Sequence, residues 1–371
     1  MFAKGQTVIQ LMEKLAPRHY AVPDDRIGLQ LGTLNKEIRK VMVTLDVVEE
    51  VVDEAISEQV DLIIAHHAII FRPLKHLQTD TPAGRVYAKL IKHDIAVYIA
   101  HTNLDVADGG INDMMADALK LENTKPLDTV FTEKLKKLVV FVPQDHHERV
   151  LMAMLDNGAG AIGDYSHCSF NLSGVGTFKP GEGTNPYIGA TGKFEEVLEI
   201  RIETIVPESL QGKVIQAMLK AHPYEEPAYD LYPLDLSGRK LGLGRVGRLP
   251  QSISLAELAE QVKKAFDVPA VRIVGEPGTM LNKAAVLGGS GSRYIGSALF
   301  AGADVLITGD VDYHSAQDAL AAGLCIIDPG HNSEKIMKAG VAAYLTKALA
   351  DGRYDTEVTT SQINTEVFRF L

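Results

Sequence analysis

VMVTLDV (Val41–Val47), DLIIA (Asp61–Ala65) and IAVYIA (Ile95–Ala100) are three short runs dominated by branched and aliphatic side chains. Apolar runs of this length fit strands buried on both faces. Between them lie two segments with helical periodicity. Val48–Glu58 groups Val51, Val52 and Ala55, and Arg85–Lys92 groups Val86 and Leu90. Short strands alternating with amphipathic helices predict parallel βαβ units.

The last third of the chain repeats this order. Lys283–Leu287 leads through GGSGS (Gly288–Ser292) into a helix ending near Ala301. Asp304–Thr308 and Leu324–Asp328 read as strands, separated by a helix over about Val311–Ala322. Asn332–Ala350 reads as a long helix. Two such lobes would bind ligand beyond the carboxyl ends of their strands. The middle, roughly Glu133–Asp235, breaks the pattern: strand Leu138–Val142, helix Asp145–Asp156, a Gly-rich stretch, strand Val197–Val206, helix Ser209–Lys220 and strand Ala228–Leu234. With an extended segment after the Gly-rich stretch, the order is β-α-β-β-α-β, that of a ferredoxin-like α+β unit. The expected fold is therefore α/β. Two βαβ-type lobes, 1–130 and 238–371, form one domain, interrupted by an inserted domain at 131–237.

Length and composition agree. The chain has 371 residues, 46% hydrophobic and 23% charged, enough for two or three domains with sizeable cores. Its 37 basic and 48 acidic residues give a net charge of −11. That argues against a broad nucleic-acid or anionic-membrane surface. Two cysteines, Cys168 and Cys325, make no disulfide framework. No apolar run approaches a membrane span. The N-terminus reads as a helix presenting Val8, Leu11, Met12 and Leu15, capped by a box from Thr7 to Gln10, rather than as a signal peptide. A cytoplasmic protein is expected.

Chemistry-bearing residues follow the strand ends. DLIIA runs into His66 and His67, whose imidazoles point to opposite sides of an extended chain and can serve neighbouring metal ions. IAVYIA runs into His101 and Asp105. The strand ending at Asp328 is broken by Pro329 and Gly330, and His331 and Glu334 follow, three apart on one helix face. For Glu334 the alternative role is complementing the helix N-terminus. Together His66, His67, Asp105, His331 and Glu334 provide three imidazoles and two carboxylates, enough for two divalent ions with a carboxylate bridging. Nitrogen and oxygen ligands favour zinc, iron, manganese or nickel. Two such ions suit hydrolase chemistry. His101 and His314 are candidate proton carriers. Asp46, Thr308 and Asp310 are candidates for orienting ligands. GGSGS is either a phosphate-binding turn or a plain tight turn. Asp24–Arg26 reads as a surface loop, and His146–His147, without a carboxylate set, as solvated.

AHHAIIF (65–71), AHTNLD (100–105) and GHNSEK (330–335) resemble the motifs of the NGG-interacting-factor-three-like family, in order. GLQLG (28–32), GLGRVGRL (242–249) and TGDVDYHSAQDA (308–319) extend the likeness across both outer segments. Members often carry the name GTP cyclohydrolase 1 type 2 homologue. The resemblance implies toroidal homohexamers with a dinuclear metal centre in each subunit, and zinc is the first expectation. It implies the same five ligands: His66, His67, Asp105, His331 and Glu334. One departure is visible: many members approach GLQ through Trp-Asp-Asn, whereas this chain has Asp25-Arg26-Ile27 and no tryptophan. GAGAIGDYSHCSF (158–170), GEGTNPYIG (181–189) and AHPYEEPAYD (221–230) match the longer bacterial members, whose insert is similar to PII-like and CutA-like trimer modules. The implied activity is metal-dependent hydrolysis of a nucleotide-like substrate, GTP first. The rival expectation is a ring-shaped metal-binding or regulatory assembly whose insert senses a small molecule. A nucleic-acid partner is not expected, because Lys and Arg form no run.

Overall fold

The computed structural model describes residues 1–369. The chain divides into two compact units: residues 1–131 with 241–371, and residues 132–240.

The first unit contains two largely parallel sheets. In one, Lys40–Thr44, Leu62–Ala65 and Ala96–Ile99 are adjacent and parallel. Every residue of Leu62–Ala65 and Ala96–Ile99 is buried, as unalternating apolar strands require. Gly28–Leu31 lies antiparallel against Ala96–Ile99 at one edge. At the other edge Glu357–Thr360 runs parallel to Lys40–Thr44, so the end of the chain completes the first lobe's sheet. In the second sheet Met280–Ser290, Val305–Gly309 and Cys325–Asp328 are parallel. Arg272–Val274 and Tyr229–Ser254 pair antiparallel at its two sides. The core between them contains Val41, Val43, Leu62, Ile64, Ile307 and Ile327, together with Met337, Val341 and Leu345 of helix Ile336–Asp351.

The second unit has the element order β-α-β-β-α-β, and its strands lie in the order fourth, first, third, second. Glu195–Pro207 pairs antiparallel with both Glu122–Pro143 and Ser169–Phe178. Helices His147–Leu155 and Gln211–Ala221 cover one face through Val150, Met154, Val214 and Met218, packed on Leu138, Val140 and Ile202.

Two expectations are corrected. The first helix runs Gly5–Leu15, so Thr7 lies inside it and makes no capping box. Its N-cap Lys4 has no side-chain cap, and the Gly5 N–H is instead answered by the Lys36 carbonyl. Glu122–Pro143 and Tyr229–Ser254, 22 and 26 residues long, are far longer strands than the short ones read at Leu138–Val142 and Ala228–Leu234. Both continue into the first unit, where polar residues interrupt the apolar pattern that marks a strand.

Candidate metal centre

The cluster assembles just past the C-terminal ends of parallel strands. His66 and His67 continue the strand Leu62–Ala65, their N–H groups donating to Thr44 O and Leu45 O. Asp105 sits in the short helix Thr102–Val106 after Ala96–Ile99. His331 and Glu334 occupy a 3₁₀ turn, His331–Lys335, after Cys325–Asp328. Residues three apart eclipse in a 3₁₀ turn. His331 Nε2 accordingly lies 3.3 Å from Glu334 Oε2.

Glu334 is central and 3% exposed. Its Oε2 faces His67 Nε2 at 3.2 Å as well as His331, while its Oε1 faces His66 Nε2 at 3.7 Å. Asp105 Oδ1 is 3.8 Å from the same His66 nitrogen. His66, Asp105 and Glu334 form one group whose donor atoms lie within 4.8 Å of one another, and His67, His331 and Glu334 form another. One carboxylate thus belongs to two donor sets, which the five expected residues supply in full.

Each imidazole is held by its other nitrogen. His66 Nδ1 donates to Ala100 O at 2.9 Å, His67 Nδ1 to Asp46 at 2.7 Å, His331 Nδ1 to Asp310 at 2.6 Å, and His101 Nδ1 to Asp25 at 2.8 Å. A carbonyl or carboxylate can only accept, so these contacts put the proton on Nδ1 and turn Nε2 inward. His66 Nε2 and Asp105 Oδ1 are buried without a hydrogen-bond partner. Two lone-pair donors facing each other and Glu334 in a dry pocket call for a cation.

The titration behaviour agrees. Burial disfavours the charged form of His67, but hydrogen bonds to Asp46 and Glu334 overcome it and lift its pKa to about 10. The hydrogen bond to Glu334 lifts His331 to about 9 against partial burial. Burial, aided by repulsion from Glu334, raises Asp105 to about 6. Burial would raise Glu334 too, yet three imidazoles hold it well below the usual range.

His101 lies within the cluster: His66, His67 and His101 bring donor atoms within 4.8 Å. His314 does not. It is exposed on helix Tyr313–Ala321 with its ring against Tyr313, 5.6 Å between centroids. Asp46 and Asp310 hold the His67 and His331 rings, while Thr308 donates to the Gly289 carbonyl. The first two glycines of GGSGS serve the site by their lack of a side chain. A Cβ at Gly289 would come within 2.7 Å of Glu334 Oε1, and one at Gly288 within 3.0 Å. The Gly288 N–H is committed to Asn112 and the Gly291 N–H to Gly309 O, which argues against a phosphate cradle there.

Two contributors went unread. The Asp25 side chain is only 6% exposed, turned inward from its loop, and it also accepts from Thr102 N–H and Oγ1–H. Burial would raise its pKa, but hydrogen bonds from His101 and Thr102 keep it well below the carboxylate range. Buried Asn112 donates to Asp105 O while accepting from Gly288, tying two walls of the site together. His146 and His147 join no metal-type cluster among the described residues; they contact Tyr187 and Asn171.

These features define an α/β protein with a buried histidine–carboxylate cluster able to hold divalent metal ions. The family description Duf34/NIF3 (NGG1p interacting factor 3) matches residues 3–367, and the chain belongs to that family. A protein of Halalkalibacterium halodurans named GTP cyclohydrolase 1 type 2 homolog is 57% identical over 100% of this chain and 99% of its own length. One of the same name from Bacillus subtilis is 53% identical, covering 99% and 98%. The crystal structure of a Bacillus cereus protein related to NIF3 superposes with a TM-score of 0.95 at 51% identity, covering 100% of both chains. Among the described residues no helix is long and apolar enough to cross a membrane.

Proposed function

We propose that this protein is a dinuclear-metal hydrolase of a nucleotide-like substrate. The division of Glu334 between two donor sets carries the reading. His66, Asp105 and Glu334 would hold one ion, and His67, His331 and Glu334 would hold the other. Zinc comes first, with iron, manganese and nickel also suited to the donor set. Such a pair of ions supplies Lewis acidity, making a nucleophile available at neutral pH and offsetting charge that develops in the transition state.

GTP is the first candidate substrate, because the most similar proteins reported above carry a GTP cyclohydrolase name. Ring opening adds water at the purine carbon between the two imidazole nitrogens. Water adds across the C=N bond, its oxygen to carbon and one proton to the nitrogen that stays attached. The C–N bond to the other nitrogen then breaks as the new hydroxyl becomes C=O and gives its proton to that released nitrogen. His101, anchored to Asp25 through Nδ1, presents Nε2 to carry that proton. His314 takes no part in this scheme. Residues 132–240 form an inserted PII/CutA-like domain, supported by the strand order given above. The protein assembles as a cytoplasmic homohexamer, in keeping with the family resemblance.

Metal analysis of the purified protein, followed by incubation with GTP and each candidate metal, tests the reading. Two ions per chain and a ring-opened formamidopyrimidine or later pterin product are expected. Asp105→Ala and Glu334→Ala should lower metal content; two ions retained in both variants would overturn the ligand assignment. Full metal content with no turnover under any metal would remove the cyclohydrolase reading and leave the regulatory metal-binding assembly ahead.

A further inference from the structure

The three sequence motifs of the second unit have no part in the metal centre, and two of them enclose a cavity of about 630 Å³. That size suits a metabolite. Its floor is the sheet face turned away from the helices. Cross-strand pairing puts Arg201 beside Phe141 and Leu172, and Glu199 beside Gly174, all on this face. The loop around GEGTNPYIG and the turn within AHPYEEPAYD form the walls, joined where the Asn185 N–H donates to Glu225.

A charged group is built into the floor. Glu199 is only 8% exposed. Its Oε1 accepts from Tyr224 O–H at 2.8 Å. Its Oε2 occupies the space over Gly176, where a Cβ would lie 2.1 Å away. Tyr224 is itself fixed, since its N–H donates to His222 Nδ1 while His222 Nε2 donates to Phe141 O. The cations nearby do not answer Glu199. Arg201 donates to Glu203 at 2.7 Å and lies over the Phe141 ring, and Lys179 is exposed. Glu225 and Glu226 add negative charge at the wall.

Three rings meet beside this carboxylate. Phe178 and Tyr187 approach Tyr224 with centroids 5.9 and 6.4 Å apart, at interplanar angles of 61° and 50°. Tyr187 is steadied by His146 Nε2 at 2.8 Å from its hydroxyl. Parallel rings would sandwich a flat base; rings inclined this steeply make the sides of a box. An aromatic box beside a buried carboxylate recognises a substituted ammonium group, through ring quadrupoles and direct charge.

We infer that the cavity over Glu199, walled by Phe178, Tyr187 and Tyr224, is a binding site for an organic ammonium ligand. The remaining volume takes the body of the ligand. The site stands independently of the metal centre and of hydrolase activity.

The test is calorimetric titration of the full-length, metal-loaded protein with tetramethylammonium, choline and spermidine, and with 3,3-dimethylbutanol as the neutral isostere of choline. Quaternary cations report the aromatic box; spermidine reports N–H donation to the carboxylate. At least one cation should bind at millimolar concentration or below, and choline or its isostere should differ by about tenfold if charge is read. Glu199→Gln keeps an oxygen for Tyr224 and should weaken cation binding by about tenfold or more. Tyr187→Ala, remote from the core, should weaken the quaternary ligands. Metal content should be unchanged in both. No heat from any cation, equal binding of choline and its isostere with spermidine silent, or binding unaffected by both substitutions would each overturn the inference.

Discussion

Replacing Gly289 by alanine tests whether the glycine is there to make room for the central carboxylate. The added Cβ would sit 2.7 Å from Glu334 Oε1 and 3.4 Å from His331 Nε2. Reaching ordinary contact at 3.4 Å demands that the carboxylate retreat by about 0.7 Å. Metal–ligand distances tolerate about 0.2 Å. Glu334 also has little freedom, because His66, His67 and His331 surround it. Gly289 has φ +64°, so alanine adds backbone strain of about 1–2 kcal/mol. That strain alone should lower the melting temperature by a few degrees. Gly323→Ala separates the two effects, since Gly323 has φ +80° and nothing within 4 Å of its would-be Cβ. Both variants should melt earlier, but only Gly289→Ala should lose metal affinity, by about 10–100-fold as when a ligand's support is removed. Elemental analysis and competition with a chromophoric chelator measure this. Two ions held by Gly289→Ala with the wild-type affinity would refute the reasoning.

Asp46→Asn should weaken binding of the ion held by His67 by about 10–100-fold, because an amide no longer compels a proton onto Nδ1; a chelator titration with unchanged affinity would oppose it. In the metal-free protein His67 and His331 have pKa values raised to about 10 and about 9. Their contribution to stability is therefore fully present below about pH 6.5 and lost as pH rises through those values. Loading at pH 8 must displace about two protons, and affinity should fall as pH drops; calorimetry in buffers of different ionisation enthalpy that detects no proton release would contradict this. Removing residues 132–240 and joining Phe131 to Leu241 with a short linker should leave a folded, metal-binding unit, because Gly242 already lies against Asp128 and Thr129 on the neighbouring strand. Insoluble or metal-free products at several linker lengths would count against that division.

What the sequence made legible follows from how each signal is written. Leu62–Ala65 and Ala96–Ile99 are buried throughout, so their apolar runs are unbroken and the residues that follow them stand out. His66, His67, Asp105, His331 and Glu334 come together because open parallel sheets collect ligands at that end. Asp25 was hidden because its partner His101 lies 76 residues away, and no local pattern marks a loop carboxylate that folds inward. GGSGS reads equally as a phosphate-binding turn or a plain tight turn, and neither reading points to the space that Gly289, lacking a Cβ, leaves for Glu334. The first helix has S/T-x-x-Q spacing at Thr7–Gln10 but starts earlier, whereas Ser254 and Glu257 form a true capping box at Leu255–Ala265. The difference is where the apolar stripe begins: at Leu255 directly after Ser254, but already at Gly5 before Thr7.

The orienting contacts explain why the pocket accepts either protons or metal ions, and why the two compete. Four Nδ1 groups are tethered to Ala100 O, Asp46, Asp310 and Asp25, which turns four Nε2 atoms inward. Those nitrogens meet Glu334 and Asp105, with His66 and both carboxylates buried and the other three rings partly exposed. Without positive charge, the inward lone pairs repel one another in a medium that screens them poorly. Against the cost of burial, hydrogen bonds to Asp46 and Glu334 raise His67, and hydrogen bonds to Glu334 and Asp310 raise His331. Burial disfavours a proton on His66 as well, yet the charges of Asp105 and Glu334 raise its pKa, and a proton on Nε2 there can answer one of the two carboxylates at a time. His66, Asp105 and Glu334 would together hold a divalent ion, and His67, His331 and Glu334 would hold a second, on the reading proposed above. On the proposed function, the exchange of protons for ions would satisfy several of these donors at once. It would do so without moving the tethered rings, because Nδ1 remains protonated in both states.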